Sequence, residues 1–479
     1  MIVHRKRVRR LKVHAENLLI ILIDILSVFF IFQLAVFTRF SILPLFFSGF
    51  IEQRTSEVWW VMLVWIFFLL YEGLYTLRAS FWDEIRTLWK VSLLSTAGVF
   101  VIISLGKLSG EVSRAVIIIM GILSFVMLPS IRMISKKILR KIGFLKRRVL
   151  ILGAGKTGQL ILKALRREPN YGYEVIGFVD DDPLKFGRKI EGIKIHRGID
   201  KALSYSNRAD VEDIFIAMPG AGKERLQGII NHLHHKVERI LFVPDIFGIA
   251  VLGTNLQHFS TEEAFALEMK NNLSNPINIF IKWCFDIVVS ILLIPFIILP
   301  MTVIVLCIRI DSRGPAFLLQ ERVGKKGKTF RCLKFRTMFE DSEKMLDDLL
   351  ENSPELMDKW VHYWKLDNDP RITRVGRFLR TTSLDELPQV FNVLKGDMSL
   401  VGPRPYLPRE WHTLKDHSDI IHMVKPGITG LWQVSGRSNT SNAYRLSLDS
   451  WYARNWNLWL DIVIILKTMR IVIMREGAH

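Results

Sequence analysis

Hydrophobic residues are spread unevenly along this chain. Four apolar stretches come first: Leu18 to Phe37, Val58 to Leu74, Leu88 to Leu105 and Ala115 to Ile134. Each approaches the roughly 20 residues a helix needs to cross about 30 Å of hydrocarbon, the third and fourth only when their polar ends are included. They predict a four-helix transmembrane region over residues 1–145. A fifth apolar run, Ile277 to Ile310, has an uncharged core from Ile287 to Ile308 that contains Pro295 and Pro300. Proline removes a helical N–H and crowds the preceding turn, so the helix is expected to kink there. Lys282 stands on one side of that core and Arg309 and Arg313 on the other. A helix that re-enters and leaves on the same side fits this charge pattern better than a fifth crossing.

Between these blocks the periodicity changes. RRVLILGAGKTGQLILKAL, from Arg147, is a buried-strand pattern that runs through glycines into a helix, and EVIGFVD, VEDIFIAMPG and VERILFVPD read as further strands. They predict a Rossmann-like α/β domain over 146–265, with a last domain over 275–479 whose re-entrant helix covers 277–310. The expected class is therefore membrane α+β: a four-helix transmembrane bundle, a Rossmann-like α/β domain and a last domain with a re-entrant membrane helix.

Charge sets the orientation. The 65 basic and 46 acidic side chains give a net charge of +19, which favours anionic partners. The basic residues flank apolar segments and form no separate basic face, so phospholipid or phosphorylated small molecules are expected and nucleic acid is not. They crowd the N-terminus, the Arg78 to Lys90 loop and Arg132 to Arg148, which places everything after the fourth helix in the cytoplasm. No small-residue cleavage site follows the basic N-terminus, so a removable signal peptide is not expected. Cys284, Cys307 and Cys332 lack metal-ligand spacing and suit reduced cytosolic thiols. Asp24, Gln33 and Glu72, in or at the ends of apolar segments, are expected to serve helix packing or interfacial placement.

Two stretches carry candidate chemistry. Gly153, Gly155 and Gly158, followed by Asp180 at the end of the next strand, have the spacing of a dinucleotide fingerprint. The same turn also occurs in a domain that keeps the fold and binds no cofactor, and both readings stay open. His232, His234 and His235 read as a solvated helix face, with no matching carboxylate or cysteine for a metal. The second stretch is TTSLDELPQVFN, Thr381 to Asn392, where Asp385 and Glu386 precede Pro388. An acid pair at a helix start ordinarily answers the helix dipole. Its neighbours are dense, however: GPAFLLQERVGKKGKTF, LKFRTM from Leu333 to Met338, the run from Asp367 to Pro405 that ends GDMSLVGPRP, and KPGITGLWQVSGR from Lys425 to Arg437.

From about Asn275 to His479 these motifs closely resemble the bacterial sugar transferase family, the monotopic polyprenyl-phosphate phosphoglycosyl transferases, and the whole arrangement resembles its large members. The resemblance implies transfer of hexose-1-phosphate from a UDP-sugar to undecaprenyl phosphate with release of UMP. Galactose is the sugar first expected, with glucose as the alternative. It also implies the first membrane step of O-antigen, capsule or exopolysaccharide synthesis, at the cytoplasmic face of the bacterial inner membrane. Asp385 then matches the nucleophile that carries a covalent phosphosugar, with Glu386 as its partner, and the pair would hold Mg²⁺. Arg336, Arg380 and Arg404 match phosphate-binding positions, as does Lys334, while Pro403, Arg404 and Pro405 match a loop beside the uridine. A homodimer organised by the central domain is also expected.

Three further expectations concern the last domain. Asp397 either supports the metal or caps the turn at Gly396. Lys282, Asp286 and Ser290, four residues apart, share a helix face and are expected to dock it. Trp451, Tyr452, Trp456 and Trp459, ahead of the apolar run that contains Lys467, Arg470 and Arg475, suggest a helix lying in the membrane interface. A rival assignment, an NAD-dependent nucleotide-sugar dehydratase or epimerase, requires a Tyr–Lys pair four residues apart. None of the nine tyrosines has one. A non-catalytic scaffold is the remaining alternative.

Overall fold

A computed structural model describes residues 2–47, 59–75, 78–108, 112–202, 204–205, 211–234, 237, 239–244, 255–259, 264–268, 272–351, 369–410, 414, 417–435 and 442–474. The chain forms two compact units, Met1–Ile246 and Phe247–His479. Helices and sheets are mixed. Among the described residues four helical segments are long and apolar enough to cross a membrane: Leu11–Phe46, Phe81–Leu105, Arg114–Lys141 and Pro276–Asp311.

The first unit opens with α1 (Ile2–Phe37), whose basic N-terminal flank is itself helical. The second apolar stretch is shorter than its sequence suggests. Its helix, α2 (Trp60–Tyr71), has 12 residues, about 18 Å, and gives way to a turn in which Gly73 is left-handed (φ +66°). α3 (Phe81–Leu105) begins with Ser80 Oγ accepting from Asp83 N, and α4 (Arg114–Lys141) completes the group. Val28, Ile31, Trp65, Leu88, Val91, Ile117 and Met120 form its core, each at most 2% exposed. The acids of the apolar helices serve packing: Arg132 of α4 pairs with Asp24 of α1 and, at 2.6 Å, with Glu84 of α3. Tyr75 Oη donates to Asp24 at 2.7 Å, and Glu72 pairs with Lys90. A buried arginine is tolerated only with such partners, so this cluster fixes the register of three helices.

A six-stranded sheet follows: β1 (Arg147–Leu152), β2 (Tyr173–Asp180), β3 (Lys189–Ile190), β4 (Ile193–Arg197), β5 (Asp213–Ile216) and β6 (Arg239–Phe242), in the order β3-β4-β2-β1-β5-β6. Only the β3–β4 pair is antiparallel. Alternation buries both faces: Val149 and Ile151 pack with Phe178 and Phe215 on one side, Leu150 and Leu152 with Val179 and Ile214 on the other. α5 (Lys156–Arg167) covers the first face through Leu162 and α6 (Lys223–His234) the second through Leu233. His232 and His234 lie on α6, while His235 falls outside the described residues. β7 (Asn255–Phe259) and β8 (Ala264–Glu268) form a separate hairpin grouped with the second unit, so the sheet ends at Phe242, short of residue 265.

The second unit is strung on α7 (Pro276–Asp311), 36 residues whose helical hydrogen bonding continues across Pro295 and Pro300. The prolines lie inside the helix and do not end it; each takes one backbone donor out of it, which bends a helix rather than stopping it. Near one end Lys282 Nζ bonds Asp461 at 2.7 Å and Val401 O at 3.1 Å, and Asp286 accepts from Leu400 N at 3.3 Å. Ser290 is fully buried beside them, so this face docks the helix. Near the other end Asp311 accepts from Val375 N at 3.0 Å. Both ends of α7 are thus fastened to the same unit. Its middle stays bare, with Leu292, Phe296 and Leu299 between 63% and 77% exposed.

Two strand pairs, β9 (Phe317–Val323) with β10 (Thr329–Phe335) and β11 (Ser399–Val401) with β12 (Gly427–Thr429), pack among α8 (Ser342–Glu351), α9 (Arg374–Thr382), α10 (Gln389–Lys395), α11 (Asn442–Asn455) and α12 (Leu458–Met474). The aromatic residues ahead of α12 do not all act as interfacial anchors. Tyr452 and Trp456 are buried to 1% and 2% exposure, and both donate to the fully buried Asp461. A carboxylate taken out of water needs such donors, which draws the start of α12 into the core. Arg475 and Arg437 fall outside the described residues.

Candidate active site

Asp385 and Glu386 stand on a turn between two helices. Thr373 Oγ1 caps α9 by accepting from Gly376 N at 2.9 Å, and α9 ends at Ser383, a non-glycine residue in the left-handed region (φ +58°). Leu384–Glu386 then forms a single 3-10 turn that leads through Pro388 into α10. Leu384 and Leu387, three apart, pack on the cluster of Ile304, Ile308, Phe335 and Leu379. With the leucines turned inward, the two carboxylates between them face the other way. Asn392 locks this element to the neighbouring strand, accepting from Leu333 N at 2.9 Å and donating to Arg331 O at 2.8 Å.

The β9–β10 hairpin supplies the opposing charges. Its register sets Arg322 opposite Phe330, Gln320 opposite Cys332 and Leu318 opposite Lys334, so Lys334, Cys332, Gln320 and Arg322 share one face. Lys334 Nζ donates to Glu386 Oε1 at 2.7 Å. Burial, reinforced by the charge of Glu386, pushes the Asp385 carboxyl up to about 6, against Lys334 and Arg380, which hold it down. Arg380 is further held by Thr337, whose Oγ1 accepts from its Nε at 2.9 Å. Cys332 is fully buried beneath Lys334, and that burial raises its thiol pKa.

Arg322 links this hairpin to the Pro403–Pro405 loop. It is 5% exposed, and its guanidinium donates to Pro405 O at 2.9 Å and Gln320 Oε1 at 2.7 Å. From the other side Pro403 O accepts from Gly427 N at 2.8 Å. Below the loop Tyr406 Oη donates to Asp449 Oδ2 at 2.8 Å, and burial pushes the Asp449 carboxyl up to about 7 despite Tyr406 and Arg404. The backbone close to Gly402 leaves no room for a side chain, since a Cβ there would lie 2.5 Å from Lys425 O. The loop is therefore held from three directions. Sequence reading singled out its prolines and Arg404 but missed Arg322, Tyr406 and Asp449, whose partners are tens of residues away along the chain.

The expected phosphate-binding cations divide. Lys334 and Arg380 gather at the dyad, and half-buried Arg404 projects from the loop that Arg322 holds. Arg336 is 7% exposed; its Nη2 donates to Ser312 O at 2.9 Å and Ser312 Oγ at 2.8 Å, where α7 ends, while its Nε and Nη1 have no hydrogen-bond partner among the described residues. Asp397 pairs with Lys395 at 3.2 Å. Among the described residues no group of three or more His, Cys, Asp or Glu side chains is placed to hold a metal. The adjacent Asp385 and Glu386 nonetheless suit Mg²⁺, which is usually held by one or two carboxylates together with waters and substrate phosphates.

Packing accounts for two of the three glycines in the turn of the first unit. Gly153 is left-handed (φ +97°), and a Cβ on Gly158 would lie 2.2 Å from Gly153 O, so both positions need glycine for the strand to meet α5 closely. Gly155 caps α5, and a Cβ there would meet nothing. Asp180 turns back on the loop: its Oδ2 accepts from Ala154 N at 2.7 Å and Lys185 Nζ at 3.2 Å, and its Oδ1 accepts from Asp182 N at 2.9 Å.

Comparison with known proteins follows the same division. Residues 277–475 match the family model described as bacterial sugar transferase, and residues 70–244 match one described as CoA-binding domain. The chain is 37% identical to the undecaprenyl-phosphate galactose phosphotransferase of Salmonella typhimurium over 85% of its length and 84% of that protein's. It is 35% identical to the UDP-galactose-lipid carrier transferase of Erwinia amylovora over the same shares. The UDP-glucose:undecaprenyl-phosphate glucose-1-phosphate transferase of Klebsiella pneumoniae is 34% identical over 69% of this chain and 68% of its own.

Proposed function

The chain belongs to the bacterial sugar transferase family, and from that premise we propose that it transfers a sugar-1-phosphate, galactose-1-phosphate foremost, from a UDP-sugar to undecaprenyl phosphate. The observation that carries the reading is the Asp385–Glu386 turn with Lys334 and Arg380 beside it. A carboxylate near pKa 6 is ionised at neutral pH yet poorly solvated, which suits it to attack phosphorus. An Asp385 oxygen forms a bond to the phosphorus that bears the sugar, and the bond from that phosphorus to the bridging oxygen breaks as UMP departs. An oxygen of the lipid phosphate then attacks the same phosphorus, giving the diphosphate-linked sugar and restoring the Asp385 carboxylate. Lys334, Arg380 and Arg404 offset the phosphate charge, and Arg322 keeps the Pro403–Pro405 loop ready for the uridine. Mg²⁺ held by Glu386 and Asp385 would add further neutralisation of the diphosphate.

The fastening of both α7 ends to one unit, with an apolar middle exposed, supports a re-entrant helix over a crossing one. With the positive-inside pattern, the active unit then faces the cytoplasm at the inner membrane, where the enzyme, as a homodimer, starts an O-antigen, capsule or exopolysaccharide chain. Glucose-1-phosphate is the second reading for the sugar, supported by the Klebsiella relative. The test is UMP release from UDP-galactose and UDP-glucose with undecaprenyl phosphate and Mg²⁺, together with capture of sugar-labelled protein before acceptor is added. Asp385→Asn is expected to lose both signals. Undiminished turnover by that variant would remove Asp385 as nucleophile.

A further inference from the structure

The first unit encloses a cavity of about 240 Å³ where the helix bundle meets the sheet domain. It lies at the amino ends of the strands, for Arg147 opens β1, Arg239 opens β6 and Tyr171 shortly precedes β2. This is the edge opposite the glycine turn, not the carboxyl edge where open α/β sheets ordinarily bind ligands.

Its charge is one-sided. Arg78, Lys136, Arg140, Arg147 and Arg239 line it against a single acid, Glu16, one of whose oxygens already accepts from Leu145 N at 2.9 Å. Lys136 is paired with Glu84 at 2.5 Å, and Arg147 lies 3.5 Å from Asp213 and 3.6 Å from Glu212, both just outside the lining. Arg78 and Arg140 differ, because among the described residues their guanidiniums hydrogen-bond only to neutral groups. Arg78 donates to Tyr171 O at 2.6 Å and Leu145 O at 3.4 Å, and Arg140 to Pro169 O at 3.1 Å and Asn170 Oδ1 at 3.4 Å. Burial, and the nearby charge of Arg147, hold the Arg78 guanidinium down to about 10. Basic residues at a cytoplasmic membrane edge need no further reason when they face headgroups or water. Here they are gathered between two parts of the protein, where the charge of each raises the energy of the others. A guanidinium with donors to spare offers the planar fork that phosphate oxygens fit.

We propose that this cavity binds a phosphate-bearing anion, which fastens the sheet domain to the helix bundle. The phosphate comes either from a lipid headgroup entering beside the bundle or from a soluble molecule reaching the strand edge. The two sources are separable. The full-length protein is placed in nanodiscs of phosphatidylcholine, in nanodiscs that also contain phosphatidylglycerol, and in phosphatidylcholine with inorganic pyrophosphate, with sodium chloride equalising ionic strength. Thermal unfolding is followed for the wild type, Arg78→Gln and Arg140→Gln.

A rise of several degrees with phosphatidylglycerol alone assigns the site to a headgroup, and a rise with pyrophosphate alone to a soluble ligand. In either case each variant loses at least half of the rise. Pyrophosphate bound near Asp385 would protect wild type and variants equally, so the variants carry the decision. Arg140→Gln, which gives up two longer hydrogen bonds, keeps the test decisive if Arg78→Gln fails to fold. No rise beyond the chloride control in either arm, or a full rise in the folded variants, overturns the proposal.

Discussion

Ionisation of Asp385 governs the chemistry proposed at the residue scale. With the carboxyl at about 6, kcat/KM should fall about tenfold for each pH unit below 6, as the nucleophile takes up a proton. Lys334 holds that value down, so Lys334→Met should lower the rate and move the acid limb upward by about one unit. A profile unmoved by the substitution would detach Lys334 from the nucleophile. The same shift affects stability. The folded value lies above the ordinary carboxyl range, so ionisation costs the folded state at pH above 6, and the cost disappears below about 4. Asp385→Asn should therefore unfold later than wild type at pH 8, by on the order of 1–3 kcal/mol, with no difference at pH 4.

Arg322 acts at one remove, through Pro405 O. Arg322→Gln is expected to raise KM for the UDP-sugar about tenfold, the ~1.4 kcal/mol of one charge-assisted hydrogen bond, while the acid limb set by Asp385 stays in place. An equal drop in kcat with KM unchanged would argue against positioning. Asp385, Glu386 and Lys334 were legible from the motifs that carry the family resemblance, although Lys334 and Glu386 meet across 52 residues of chain. The Arg322–Pro405 and Tyr406–Asp449 contacts were not, since they depend on how β9, the loop and α11 pack. Arg336 matched a motif, and the structure adds that its Nη2 also holds Ser312 at the end of α7.

At the scale of elements, composition located the helices better than their ends. The two prolines of α7 lie within 36 residues of helix, so they mark where it bends and not where it ends. The aromatic residues before α12 suggested an interface, but the buried Asp461 draws Tyr452 and Trp456 inward. The way α7 meets the membrane is open to a direct test. Cysteines replacing Ile277 and Ile310, which are 68% and 86% exposed near its two ends, should both react with a membrane-impermeant maleimide in inside-out vesicles once the native cysteines are replaced. Labelling of one end from each side would instead make α7 a crossing helix.

For the molecule as a whole, the separation into two compact units suggests a division of labour. A fragment beginning near Asn275 should still release UMP in detergent; a folded but inactive fragment would show that the first unit completes the active one. The net charge of +19 was legible from the start, but its distribution was not, because the cluster around Arg78 forms only when β1 and β6 bring their first residues beside Val13 to Ile20 of α1 and the end of α4.

The carboxylate of Asp180, bonded to Ala154 N at 2.7 Å, has one more consequence for that first unit. It acts as a tethered ligand of the glycine turn, present at an effective concentration that a free anion would have to exceed. A nucleotide phosphate arriving at Ala154 meets a competitor that never diffuses away, so any occupant of that edge must first evict an oxygen belonging to the chain itself.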